Sequence, residues 1–285
     1  MGSRDKRVRV NRRDDSSIEL VVEGYPYVFT NAIRRLILSD VPTLAIDYIY
    51  VYDNSSSVFD EILAHRLGLL VLDSTYALEK MRSPEECKNA DEEDESCYTK
   101  IILDVGIDEN ASEGRYVNAG ELNVDERVTR IVYPETPLLY LIPGQRVHAV
   151  AYARLGRGRE HAKWSPATVA VMQYVPVVRY DGSKASGECL KCLEAYPGIR
   201  EELEKGKKGE IEIAHHINTS GLLYCSETEC KDALELTYNQ DKQILYIEST
   251  GSLPPERIVL ESARILEARA KELIEALKEL EVEEK

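Results

Sequence analysis

Pro254-Pro255-Glu256-Arg257-Ile258-Val259-Leu260-Glu261-Ser262-Ala263-Arg264-Ile265-Leu266, continuing through Ala270, Leu273 and Leu277 to Leu280, is the stretch on which the fold turns. Proline suits the first turn of a helix, where its missing N–H costs nothing. Beyond it, apolar residues recur at Val259, Ala263, Leu266, Ala270, Leu273, Leu277 and Leu280, in alternating steps of four and three. That spacing is a heptad seam. Ile258, Ile265 and Ile274 widen it on one flank, giving a stripe broad enough to cover a sheet and a partner together. Two readings stay open: a helix that packs only on its own sheet, and a helix that forms a subunit interface.

Upstream of this helix, Leu234 to Ile247 reads as two strands separated by Asn239-Gln240-Asp241. Residues 181 to 231 change texture to Gly, Lys, Glu and paired cysteines, as in a small insertion. Before it lies a mostly β region, with strand-like runs at Ala45 to Tyr52, Lys100 to Ile107, Thr129 to Tyr133, Arg146 to Arg154 and Val169 to Arg179. Asp60 to Leu70 has helical spacing, with Leu63, Leu67 and Leu70 aligned. The run Ser83 to Ser96 carries seven carboxylates and nothing to bury, which predicts an exposed loop. At the N-terminal end, Ile18 to Phe29 reads as two short strands around Gly24-Tyr25-Pro26. A helix then follows, capped by Thr30 or Asn31 and ended at Val41-Pro42. Its apolar face is Phe29, Ile33, Leu36 and Ile37, with Arg34 and Arg35 off that face.

Composition narrows the function. A chain of 285 residues exceeds the roughly 100–200 of one domain. With 43% hydrophobic and 31% charged residues it has the makings of packed cores. Lys plus Arg total 36 against 51 Asp plus Glu, a net charge of -15, which disfavours direct phosphate binding as the main task. No apolar run approaches the ~20 residues of a membrane span, and Met1 to Arg13 is basic without the apolar core of a signal peptide. A cytoplasmic protein that touches no membrane is expected.

Enzyme signatures are missing: no glycine-rich loop with Lys-Ser/Thr, no His-Glu-x-x-His and no Gly-x-Ser-x-Gly occurs. No catalytic residue is therefore assigned; Glu61 and His65, one helical turn apart, read as a surface pair. Gly156-Arg157-Gly158-Arg159-Glu160-His161-Ala162-Lys163-Trp164-Ser165-Pro166 lacks the third glycine of a dinucleotide fingerprint. It holds the only tryptophan among four cations, and Trp and Arg are enriched at energetically important protein contacts. A docking loop, with His161, Lys163 and Trp164 as contact residues, is preferred to a plain solvent loop. Cys189 and Cys192, with Cys225 and Cys230, could supply four sulfurs to zinc or to an iron–sulfur cluster. Disulfides or free thiols are the rival, and a stand-alone metal or redox protein built on these cysteines is the alternative function.

Four separated stretches together point to a family. Asn31-Ala32-Ile33-Arg34-Arg35 through Val41-Pro42-Thr43-Leu44-Ala45-Ile46, and Phe59-Asp60-Glu61-Ile62-Leu63-Ala64-His65-Arg66-Leu67-Gly68-Leu69, closely resemble the D-type subunits of archaeal RNA polymerase. His161 to Pro166 and Gly251 to Glu256 also look like family motifs. The family is related to the third-largest subunit of eukaryotic RNA polymerase II and to the N-terminal domain of the bacterial α subunit. The resemblance implies an α+β fold: a discontinuous dimerisation domain of sheet plus long C-terminal helix, here residues 1–45 and 233–285. It further implies a β-rich insert domain over 46–180 and a small cysteine-containing, ferredoxin-like subdomain over 181–232. In function it implies a non-catalytic assembly-platform subunit of DNA-directed RNA polymerase, itself a nucleotidyltransferase complex. Such a subunit heterodimerises with subunit L through Val259, Leu266, Leu273, Leu277 and Leu280. It docks the large catalytic subunits and small assembly subunits, Arg34 and Arg35 among its contacts, and meets DNA only through the complex. Some family members hold iron–sulfur clusters; here the pattern departs by missing cysteines. Cys87 and Cys97 are only two of the four that a zinc loop in the eukaryotic relatives carries, so zinc is not carried over.

Overall fold

The structure, a computed structural model, describes residues 6–283, with side chains described as far as Glu279. The chain divides into two compact units, each built from two separated segments: Met1–Arg34 with Ala170–Ile247, and Arg35–Val169 with Glu248–Lys285. In chain order the elements are β1 (Arg7–Arg13), β2 (Ser17–Glu23), α1 (Tyr27–Ser39), β3 (Pro42–Asn54), α2 (Asp60–Gly68), α3 (Ala77–Lys80), β4 (Tyr98–Gly106) and β5 (Arg115–Asn118). There follow β6 (Asn123–Val124), β7 (Pro137–Leu141), β8 (Arg146–Arg157), β9 (Ala167–Asp181), α4 (Gly187–Cys192), α5 (Pro197–Glu204), β10 (Lys208–Glu212), α6 (Ser220–Glu227), β11 (Leu234–Ser249) and α7 (Pro255–Glu283). This is the α+β class expected of the sequence.

The first unit is organised on a five-stranded sheet in the order β1-β2-β11-β9-β10. Strand β2 is buried on both faces, from Ser17 through Val22. The chain leaves it through Gly24, whose φ of 73° lies in the left-handed region that glycine enters without a Cβ penalty. Where two short strands were expected over Ile18 to Phe29, there is one, because α1 begins at Tyr27 directly after Pro26. Thr30 consequently sits inside the helix instead of capping it. Its buried hydroxyl meets Gln243 Oε1 at 2.5 Å, and Gln243 Nε2 donates to the Tyr25 carbonyl at 2.9 Å. Ile33, Leu36 and Ile37 form the buried face of α1, as the spacing predicts.

The expected pair of strands in Leu234 to Ile247 is a single 16-residue strand, β11. The would-be turn residues are satisfied locally without reversing the chain. Asn239 accepts from the Asp241 N–H at 3.0 Å through its Oδ1 and donates to Glu212 at 3.0 Å through Nδ2. A separate core lies under the cysteine-containing segment, where Val178, Leu193, Ile199, Leu203, Ile213 and Leu222 pack with the buried sulfurs.

The second unit is built on a four-stranded sheet, β3-β8-β4-β6, with a small β5-β7 pair. Long antiparallel pairing of β3 with β8 runs from Pro42↔Arg157 to Asn54↔Val147. One face packs Leu44, Ile46, Ile101, Leu103, Ala151 and Leu155 against Leu63 and Leu67 of α2. Thr129 to Tyr133 is not a strand: only Ile131 pairs, with Leu72, and the buried Thr129 hydroxyl donates to the Asp73 carbonyl at 2.8 Å. The acidic run is tied down more than its charge suggests. Cys87 and Cys97 form a disulfide and are buried at its base, while Glu85 receives Arg157 Nε at 2.7 Å and Nη2 at 2.6 Å.

Candidate functional site

The seam of α7 divides in two. Near its start, Leu253 and Ile258 are fully buried, Ser262 likewise, and Val259, Ile265 and Leu266 are half-buried. From Glu267 to Glu279 every residue is exposed. Leu273 is 61%, Ile274 52% and Leu277 52% accessible, a row of aliphatic side chains facing water. Leu280 lies outside the residues whose side chains are described. Contiguous apolar surface of this kind marks an interaction site. Fully desolvating three such side chains is worth roughly 1.5–3 kcal/mol each.

The helix is fastened by ions as well as by its buried first turns. Asp40, at the end of α1 and 8% exposed, receives Arg269 of α7, Arg159 at 3.2 Å and the Ser39 hydroxyl at 2.5 Å. Burial by itself pushes the Asp40 carboxyl up, but the Ser39 and Arg269 hydrogen bonds and the two guanidinium charges outweigh it, leaving the group below its ordinary value. The Asp40 carbonyl also accepts from Arg157, which is held in turn by Glu85. Arg257 adds bonds to Glu261 at 2.7 Å and Glu79 at 3.4 Å.

In the loop after β8, Trp164 points inward and is 3% exposed. The Arg154 guanidinium lies 4.4 Å and the Lys163 ammonium 4.2 Å from its ring centroid, positions that favour cation–π attraction. Its carbonyl accepts from Thr43 at 2.9 Å. Glycines make this arrangement fit: a Cβ on Gly156 would strike the indole, and one on Gly158 would strike the Leu38 carbonyl oxygen. Lys163 donates to the Ile46 carbonyl at 2.8 Å and to Asp47 at 3.2 Å, and Arg154 reaches Asp47 at 2.8 Å. Burial raises the Asp47 carboxyl, and those two cations more than reverse it. His161 is exposed, its Nδ1 accepting from the Lys163 N–H at 3.0 Å. The Lys163 and Trp164 side chains are thus spent on fastening the loop to β3 and β8, while His161 is exposed.

On α1, Arg34 is half-buried and bonds Asn31 at 3.0 Å, whereas Arg35 is exposed. In the second unit, Arg35, His161 and the α7 row from Glu267 to Glu279 are all exposed.

The cysteines correct the expectation of a metal site. Cys189 pairs with Cys230 and Cys192 with Cys225. On α4 the two sulfurs, one turn apart, turn to two different partners, so no four-sulfur cage forms. Both bridges draw α4 onto α6 and the segment following it, with Cys189, Cys225 and Cys230 buried. Among the described residues no group of three or more His, Cys, Asp or Glu could hold a metal ion. The iron–sulfur reading and the redox-protein alternative built on these cysteines lose their support. Sequence spacing had no means of finding this pairing, since it depends on the approach of helices more than thirty residues apart. Sequence reasoning also missed Asp40 and Arg269, a pair whose partners are distant in the chain. Among the described residues no helix is long and apolar enough to cross a membrane.

Known proteins give this geometry its context. The RNA polymerase Rpb3/Rpb11 dimerisation domain matches residues 19–270. DNA-directed RNA polymerase subunit Rpo3 of Aeropyrum pernix is 49% identical over 280 residues, 98% of this chain and 98% of that protein. Rpo3 of Methanothermobacter thermautotrophicus is 35% identical over 269 residues, 94% and 97% of the two chains. Rpo3 of Pyrococcus horikoshii is 32% identical over 279 residues, 96% and 98% of the two. With the dimerisation domain matched over residues 19–270 and its length matched almost end to end by those relatives, the chain belongs to the RNA polymerase Rpb3/Rpb11 dimerisation-domain family, alongside archaeal Rpo3 subunits.

Proposed function

We propose that this chain is the D-type assembly platform of an archaeal DNA-directed RNA polymerase, a relative of the third-largest subunit of RNA polymerase II and of the bacterial α N-terminal domain. It works as an assembly subunit of the enzyme and contributes no catalytic group to RNA synthesis. The observation that carries this reading is the outer half of α7, where Leu273, Ile274 and Leu277 stand in water on a helix anchored at its other end. A heptad row left open in this way is suited to a second helix. The partner proposed is subunit L, with Val259 and Leu266 at the anchored end of the same seam and Leu280 continuing it.

Functionally, residues 1–45 and 233–285 act as the dimerisation domain, 46–180 as the β-rich insert and 181–232 as a disulfide-bound subdomain. Arg34, Arg35 and His161 meet the large subunits, with Lys163 and Trp164 holding the loop in shape; small assembly subunits complete the contacts. DNA is reached only through the complex, and the platform works in the cytoplasm without a membrane.

Leu273→Asp tests the pairing. A carboxylate in the desolvated seam is costly, so co-expression with subunit L followed by size exclusion should give two separate peaks where the unchanged chain gives one heterodimer. An intact heterodimer would mean that α7 does not carry the pairing.

A further inference from the structure

The N-terminal strand β1 has no role in the reading above. It is the edge of the five-stranded sheet, bonded to β2 and, among the described residues, to no other strand. All seven of its residues are exposed. From Lys6 to Arg13 the sequence has five cations and no acid, in a chain whose net charge is -15.

The two faces of β1 differ. Val8 and Val10 lie opposite Val22 and Leu20, which are buried, yet the two valines are 52% and 56% accessible. The apolar face of the sheet therefore runs on past its covered part by one strand. Arg7 and Arg9 are opposite Glu23 and Val21 on the other face. A bulge at Asn11 ends this regular stretch, and the Asn11 side chain donates to Glu19 and to the Ala214 carbonyl at 2.8 Å. Arg12 approaches Asp14 only at 4.0 Å and stays 77% exposed.

We propose that β1 is a strand-addition site that receives an extended, acidic polypeptide segment of another polymerase subunit. An added strand would satisfy the unpaired edge N–H and C=O groups, set its carboxylates beside Arg7 and Arg9, and cover Val8 and Val10 with apolar side chains at alternate positions. Cations on an edge discourage pairing with a copy of the same strand, so a second copy of this chain is not the occupant. Arginines alone would serve that protective purpose; exposed valines between them work against it. A nucleic acid would use the charge but neither the edge hydrogen bonds nor the valines. The proposal rests on the assembly reading for the source of the segment.

The test uses the assembled polymerase, with a photo-crosslinking residue replacing Val8, and hydrogen exchange read on Arg7, Val8, Arg9 and Val10. The expected result is a crosslink to an Asp/Glu-bearing stretch of another subunit, with exchange at these amides slowed about tenfold or more relative to the isolated heterodimer. Arg7→Glu with Arg9→Glu should abolish the slowing, while Arg7→Lys with Arg9→Lys keeps most of it. Crosslinks to DNA or RNA, to a second copy, or to nothing, or amides that exchange equally fast before and after assembly, would overturn it. Retention of the heterodimer, scored in the same samples, separates failure of this proposal from failure of the platform reading.

Discussion

Asp40 gathers more of the second unit than any residue the sequence drew attention to. Three guanidinium groups, from the end of β8, from the loop after it and from α7, converge on its carboxylate and carbonyl. Removing the charge by Asp40→Asn strands those cations beside a buried position and should lower stability by about 2–3 kcal/mol at neutral pH, measured by urea unfolding. The folded Asp40 carboxyl titrates below its unfolded value, so its contribution is complete above about pH 4 and drains away as pH falls through the lowered folded value. The gap between the unchanged protein and Asp40→Asn should accordingly narrow in acid; a gap that widened would contradict this assignment. Asp47, lowered by Arg154 and Lys163 against its burial, titrates with the same sign. None of this was legible in the sequence, because an aspartate before a valine and a proline reads as a helix end, and its partners lie more than a hundred residues away.

Among the elements, those with a strong internal period were legible and those settled by neighbours were not. Ile33, Leu36 and Ile37 gave α1 and Leu63 and Leu67 gave α2, since each buries a face that its own spacing defines, and the steps of three and four gave α7, which buries only the start of its seam. Strand β11 was misread because Asn239-Gln240-Asp241 has turn chemistry, while its strand neighbours β2 and β9 keep the chain straight. Thr129 to Tyr133 had strand composition but found only a single bridge. The cysteine bridges are a matter of elements too. Closing loops of 41 and 33 residues, each alone is worth about 4 kcal/mol in the chain-entropy account. Cys192→Ser with Cys225→Ser should therefore lower the melting temperature of the isolated chain. Because α7 belongs to the other unit, it should leave pairing with subunit L intact. Loss of pairing in that variant would tie the cysteine segment to the interface.

At the scale of the whole molecule, an acidic chain with an exposed aliphatic row on its last helix and a match to a dimerisation-domain family suits a protein that organises others. Arg34 and Arg35 provide the separating experiment. Their double replacement by alanine should change the stability of the chain by no more than about 0.5 kcal/mol and spare the heterodimer. Reconstitution from separate subunits should then stall at recruitment of a large subunit, as a planar guanidinium that holds a carboxylate or carbonyls has no substitute in a methyl group. Normal recruitment by the double variant would show that these arginines are merely solvated.

The order of strands has a consequence for how the protein comes into being. In the first sheet β11, which is synthesised after its four companions, sits in the middle, between β2 and β9. Until Leu234–Ser249 emerges, the early hairpin and the later pair β9-β10 have no strand to join them. The first sheet can therefore close only once Leu234–Ser249 has been made, and a chain that stops short of it holds two pairs of strands with nothing to join them. A message cut short of this strand is thereby exposed by the fold itself, as a sheet that lacks its centre.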